Sequence, residues 1–177
     1  FFFADDIFNL RVERSKAIIK GMIDLGIKCR WGAQVRHEIV KDPELMELMK
    51  QSNCDRVFVG FESINQKTLD AYGKNETVED VVAAVEKFHE YNIKVHGMFV
   101  LGSDADDLAT VQNTLDFVRK HDIDSVQFLI LTPIPGSRDY IDFDEGRRPL
   151  LTREWSLYDG HHCVYEPRNM SPFALQY

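Results

Sequence analysis

Cysteine is scarce in this sequence of 177 residues, and the three present, Cys29, Cys54 and Cys163, stand far apart. An odd number without a close pair supports neither a disulfide framework nor a CxxC-type metal site. A reducing cytoplasm is the compartment expected. Positive charge is also in short supply, with 21 basic residues against 29 acidic ones, a formal net charge of −8 and no long basic run. That balance argues against a nucleic-acid backbone as the main partner, because such binding rests on clustered Lys and Arg. No apolar stretch approaches the roughly 20 residues needed to cross a bilayer. With 44% hydrophobic side chains and six prolines, the chain can bury one core and is too short for two ordinary domains. An initial methionine is absent as well: the sequence opens Phe1-Phe2-Phe3-Ala4 and meets Asp5-Asp6 where a signal peptide would need small residues. The expectation is a strand cut into mid-domain, with the natural beginning upstream.

What is present is an alternation of two periods. Phe1 to Asp6 is a short apolar run ending in two carboxylates, as expected of a strand buried on both faces. From Arg11 to Leu25 the apolar positions recur at helical spacing before Gly26, a C-cap. Ile27 to Val35 reads as a strand. Asp42-Pro43 opens a helix that ends near Asn53 or Cys54, and Arg56 to Glu62 is a third strand. A short helical segment lies around Thr68 to Tyr72, and Thr77 caps a longer helix broken by Asn92. Ile93 to Leu101 forms a fourth strand, Leu108 to His121 a helix, and Ser125 to Leu131 a fifth strand stopped by Thr132-Pro133-Ile134-Pro135-Gly136. Five strands alternating with four helical connections predict an α/β fold with a parallel sheet and right-handed crossovers. Beyond Gly136 the periodicity fades. Asp142 to Arg148 is a charged turn, and the rest is a loop-rich extension that Trp155, Tyr158, Tyr165 and Phe173 are expected to anchor.

In parallel βα arrangements ligands bind at the C-terminal ends of the strands. The polar residues there are Asp5 and Asp6, Gln34 and Arg36, Glu62 and Ser63, then Gly102 and Thr132. They form a rim of acceptors for ribose hydroxyls and an ammonium group, above apolar walls able to flank a flat base. The alternative for each is a polar residue meeting water where a strand ends.

Several segments carry a resemblance to a known family. Val57-Phe58-Val59-Gly60-Phe61-Glu62-Ser63 resembles the strand of radical S-adenosylmethionine (SAM) enzymes that ends in Gly-x-Glu-Ser or Gly-x-Gln-Ser. Asn65, Thr68, Leu69 and Gly73-Lys74 follow at the spacing of the family's Leu-x-x-x-x-Arg/Lys element, and Gly97-Met98-Phe99-Val100-Leu101-Gly102 resembles its next strand, Gly-x-Ile-x-Gly. Leu131-Thr132-Pro133-Ile134-Pro135-Gly136-Ser137 is similar to the Pro-x-Pro-Gly-Thr ending of its last strand, and Phe3-Ala4-Asp5-Asp6-Ile7-Phe8 to its Asp-Asp-x-Phe strand. Trp155-Ser156-Leu157-Tyr158-Asp159-Gly160 resembles the tail of members with an upstream cobalamin-binding domain.

The resemblance implies a partial (βα)6 TIM-like barrel over residues 1–140, lacking its first strand and cluster loop, with residues 141–177 as an extension packed on it. It implies SAM contacts from Glu62 and Ser63, Gln34, and Lys74 near the carboxylate, with Val100, Leu101 and Gly102 beside the adenine and Leu131 with Thr132 closing the pocket. Asp5, Asp6 and Arg36 are substrate-side candidates. Other readings stay open for two of these residues: an ion pair with Arg36 for Glu62, and simple solvation for Lys74.

The family's Cys-x3-Cys-x2-Cys loop, which holds a 4Fe–4S cluster, has no counterpart here, so the cluster ligands are expected upstream of Phe1 and the chain alone is expected to be inactive. Cys54 is placed at a helix end, Cys29 near a strand and Cys163 in the tail. His161-His162-Cys163 is read as a surface or substrate-side loop, because adjacent side chains on an extended segment diverge. Asp104, Asp106 and Asp107 are assigned to helix N-capping. The intact parent would cleave SAM to a 5′-deoxyadenosyl radical acting on an unidentified small molecule, with cobalamin a possible further cofactor. The alternatives are a βα-barrel lyase or aldolase without a cluster, and a non-catalytic binding or scaffold fragment that dimerises or swaps through an exposed sheet edge.

Overall fold

The computed structural model describes every residue except Glu145 and Arg147, which belong to the turn expected over Asp142–Arg148 and lie outside the described residues. Five strands form one sheet: β1 (Phe2–Phe3), β2 (Trp31–Val35), β3 (Cys54–Glu62), β4 (Lys94–Leu101) and β5 (Ser125–Ile130), in the order β1-β2-β3-β4-β5. The strands are parallel, with Phe2 opposite Gly32 and Val35 opposite Val59 in the paired registers. Spatial order equals chain order, so no crossover reverses direction. That is the singly wound topology of βα barrels, and it differs from doubly wound sheets, whose order turns back at a switch point.

Between the strands run α1 (Val12–Asp24), α2 (Pro43–Gln51), α3 (Gln66–Ala71), α4 (Val78–Glu90) and α5 (Leu108–Lys120), followed by α6 (Arg138–Asp144) and α7 (Pro172–Gln176). The start signals act as the residue types require. The Asp42 carboxylate accepts from Leu45 N at 2.9 Å with Pro43 behind it, and Thr77 and Asp80 close a reciprocal capping box. The stop signals share one device: past their C-termini the helices reach a residue in the left-handed region, Gly26, Asn53, Gly73, Asn92 or Asp122. These are the types that tolerate positive φ, and each redirects the chain out of its helix.

Packing divides the chain into two compact units. The first comprises Phe1–Phe61, Glu76–Met98 and Val118–Gln127. Leu45, Met46 and Met49 of α2 and Val81, Ala84, Val85 and Phe88 of α4 are buried at three- and four-residue spacing, together with Val57 and Val59 from alternate positions of β3. Burying each of these side chains other than that of Ala84 contributes about 1.5–3 kcal/mol. Trp31 is buried against the rings of Phe3 and Phe8 and donates its indole N–H to Ser52 O at 3.0 Å. His37 and Glu76, both buried, meet at 2.7 Å.

The second unit comprises Glu62–Asn75, Phe99–Phe117 and Phe128–Tyr177. Phe143, Val164, Tyr165 and Leu175 form its apolar centre, against which Leu101, Ile130, Leu131 and Leu150 pack.

Several expectations are corrected. The first two strands are shorter than the apolar runs: pairing starts only at Phe2 and Trp31, and Lys28 to Arg30 are an exposed loop. Cys54 opens β3 instead of ending α2. A short 3-10 turn over His37–Lys41 and helix α6 went unanticipated. Asp142 to Asp144, expected in a turn, complete α6, which starts where Ser137 Oγ accepts from Tyr140 N. Tyr165 anchors the extension, but Trp155 is 55% and Phe173 72% exposed. One turn of α7 explains the latter: Phe173 and Leu175, two residues apart, point to opposite sides, and Leu175 takes the inner place.

Candidate functional site

Strand alternation puts Phe58 and Gly60 on the half-buried face of β3 and Val57, Val59 and Phe61 on the buried face. Glu62 ends the strand with φ 62°. Among the described residues the other non-glycine positions with positive φ are Asn53, Asn92 and Asp122, all of which follow a helix. Glu62 has neither the residue type nor the location that makes this conformation easy. Such a conformation in a residue with a long side chain carries a cost of order 1–3 kcal/mol and marks functional sites more often than chance. The bend turns the chain from β3 into α3 and leaves the carboxylate at the strand end.

The partner of that carboxylate is Lys74, at 3.4 Å, and both side chains are 29% exposed. The ion pair considered from the sequence, Glu62 with Arg36, is replaced by this one. An ion pair so open and so long holds by no more than about 1 kcal/mol. By residue chemistry, an ammonium such as Lys74 suits a carboxylate, and a carboxylate such as Glu62 suits hydroxyls or an ammonium.

Ser63 is turned inward. It is buried, and its Oγ accepts from Asn65 N at 3.0 Å. Tyr72, which the sequence reading did not single out, sits at the C-cap of α3 with a buried hydroxyl that has no hydrogen-bond partner among the described residues. Burial, reinforced by the charges of Asp106 and Glu62, raises the Tyr72 pKa, so the group stays a protonated donor. Nothing in the sequence distinguishes this tyrosine from the other five.

Val100 and Leu101 are successive strand residues and so face opposite ways. Leu101 packs into the Phe143–Tyr165 cluster, and its carbonyl accepts from Leu131 N at 2.8 Å. Both residues cannot flank one flat base, and Val100 is the one on the other face. Gly102 has φ 100° and is buried; a Cβ there would collide with the Tyr165 hydroxyl and lie 2.7 Å from Leu175 Cδ2. The close approach that demands glycine comes from this chain's own C-terminal segment. Thr132 donates its hydroxyl to Ile130 O at 3.0 Å.

The remaining candidates belong to the first unit. Gln34 is half-buried in β2 opposite Phe58. Arg36 is exposed, and Asn9 holds its backbone through bonds to both N–H and C=O. Asp5 pairs with Arg14 at 3.1 Å, and Asp6 is exposed. Asp5 and Arg14, with Ile7, Phe8, Leu10 and Arg11, line a shallow cleft.

A sheet of parallel strands in chain order is the arrangement of βα barrels. The chain belongs to the radical SAM superfamily, whose family model matches residues 6–130. It is 32% identical over 171 residues to the bacteriochlorophyllide d C-12(1)-methyltransferase of Chlorobaculum tepidum, covering 96% of this chain and 36% of that protein. An uncharacterized methyltransferase of Pyrococcus horikoshii is 30% identical over 156 residues, 88% of this chain and 34% of its own length. The chain thus spans about a third of the relatives it matches. In fold it is similar to the radical SAM methyltransferase TsrM of Kitasatospora setae, solved with cobalamin and a [4Fe–4S] cluster bound, at a TM-score of 0.70 and 20% identity over 81% of this chain and 30% of that one.

The superfamily uses SAM and a 4Fe–4S cluster. SAM suits the residue types present: a carboxylate and an ammonium where β3 ends match its ribose hydroxyls and aminocarboxyl end. The cluster does not fit this chain's own cysteines. Cys29 is exposed, Cys54 buried and Cys163 half-buried, and the described residues contain no grouping of three potential metal ligands. Cys163 donates to Tyr165 O at 3.2 Å.

Proposed function

We propose that this chain supplies the SAM-binding wall of a cobalamin-dependent radical SAM methyltransferase, with residues 1–140 as barrel and 141–177 as an extension packed on it. The observation that carries the reading is the Glu62–Lys74 pair, at 3.4 Å where β3 ends, with Glu62 in the left-handed region. Support for methyl transfer comes from the two relatives above, which bear the name methyltransferase, and support for cobalamin from the fold neighbour that binds it.

Bound SAM, reduced at a cluster held by cysteines from outside these residues, would be the source of radical and methyl chemistry. This chain's residues bind and orient it. Glu62 accepts from the ribose hydroxyls or the amino group, Lys74 receives the carboxylate, and Val100 lies against the base. Asp5, Asp6 and Arg36 are assigned to the substrate side. Without a cysteine triad the 177 residues by themselves would not cleave SAM.

The test is anaerobic reconstitution of the intact protein with iron, sulfide and cobalamin, followed by incubation with SAM carrying a labelled methyl group. Transfer of label to a small-molecule acceptor from the source cell extract is expected. SAM consumption to 5′-deoxyadenosine with no labelled product would keep the superfamily chemistry and discard the methyltransferase reading.

A further inference from the structure

Asp106 has a role that its sequence neighbours do not share. Of the three carboxylates before α5, Asp107 caps that helix by accepting from Thr110 N at 2.8 Å. Asp104 pairs with Arg168 at 3.0 Å and with Arg148. Asp106 is 1% exposed and points inward. Its Oδ2 accepts from the N–H groups of Gly102 at 3.0 Å and Ser103 at 2.9 Å, where β4 ends. Its Oδ1 accepts from the Thr68 hydroxyl at 2.9 Å, in the middle of α3. Thr68 also shares a 2.7 Å contact with Ser103 Oγ, and Asn65, the N-cap of α3, donates its side-chain N–H to Ala105 O at 3.1 Å. A helix of six residues is too short to fix its own position. That position is set by what grips it, here a buried carboxylate whose acceptor capacity is filled from two chain segments.

What α3 carries is the candidate site. Glu62 and Ser63 lead into it. Past its end, Gly73 turns the chain at φ 66° and Lys74 N donates to Leu69 O at 3.0 Å, so Lys74 moves with the helix. Resting on the SAM-binding reading of Glu62 and Lys74, we infer that Asp106 is a positioning residue for that pair, acting through Thr68. It sets where Lys74 stands relative to Glu62 and touches no ligand itself. An N-cap would need neither the burial nor the bond to another helix, and its loss would not reach Lys74.

The experiment measures SAM affinity by calorimetry on the intact reconstituted protein, beside the thermal midpoint, for Thr68→Val, Thr68→Ser and Glu62→Gln. Thr68→Val keeps shape and removes the hydroxyl, and is expected to weaken SAM about tenfold, while Thr68→Ser stays within about twofold of wild type. A merely structural role would lower the midpoint of Thr68→Val and leave affinity unchanged. Wild-type affinity in Thr68→Val beside weakened binding in Glu62→Gln would overturn the inference alone; wild-type affinity in Glu62→Gln would remove the site reading beneath it. If Thr68→Val does not fold, Asp106→Asn, which keeps the size of the side chain and only one of its two acceptor oxygens, is judged by the same criterion.

Discussion

The Tyr165 hydroxyl donates to the carbonyl of Gly102 at 2.6 Å, deep in the second unit and across 63 residues of sequence. Tyr165 is fully buried, and Leu175 closes on the same glycine. Gly102→Ala therefore meets two obstacles, a positive φ and an occupied space. It should cost about 3 kcal/mol or more, read as a lowered urea midpoint. Tyr165→Phe, which leaves the Gly102 carbonyl unpaired, should cost about 1–3 kcal/mol. An alanine at 102 that left stability unchanged would show that the C-terminal segment does not pack there.

Acid should release a different contact. Lys16 of α1 bridges Asp42 and Glu44 at 2.8 Å each, and Lys20 reaches Glu44 at 2.7 Å. Hydrogen bonds from Lys16 and then Lys20 hold the Glu44 pKa down to about 2 from an ordinary value of 4.5. Burial pushes the Asp42 carboxyl up, but the Lys16 bond and the Leu45 N–H outweigh it and the net shift is downward. Depressed carboxylates contribute stability that is complete above their unfolded pKa and vanishes as pH falls through the folded one. Stability should therefore decline between about pH 4.5 and pH 2, and the decline should be shallower in Lys16→Met, as followed by urea midpoints across that range. Equal slopes for the two proteins would contradict the pairing.

Thiol reactivity separates the three cysteines. Cys29 is exposed, whereas burial pushes the Cys54 thiol up and, to a lesser degree of enclosure, that of Cys163. An alkylating reagent under native conditions should modify Cys29 first, Cys163 slowly and Cys54 only after unfolding, as mass spectrometry of timed samples would show. Rapid modification of Cys54 would place the start of β3 at the surface.

The alternation of elements was legible because the sequence carries period and punctuation together: three- and four-residue apolar spacing in α2 and α4, and Gly26, Asn53 and Asn92 just past helix ends. What escaped was long-range. Asp104, Asp106 and Asp107 read alike as caps, and only their partners at Arg168, Thr68 and Thr110 distinguish them. Glu62 was legible as a polar strand end, but its left-handed backbone was not, since a glutamate gives no hint of positive φ. Trp155 and Phe173 misled because aromatic area raises the expectation of burial, while the short turns that carry them turn them outward.

Glu62 is the residue on which the proposed SAM site turns. Calorimetric titration of SAM into the intact, anaerobically reconstituted protein, wild type against Glu62→Gln, tests it most directly. The substitution removes one charge at nearly constant shape and should weaken SAM about tenfold, the usual loss for a charge-assisted hydrogen bond. Equal affinity in the two proteins would contradict a SAM site at the end of β3.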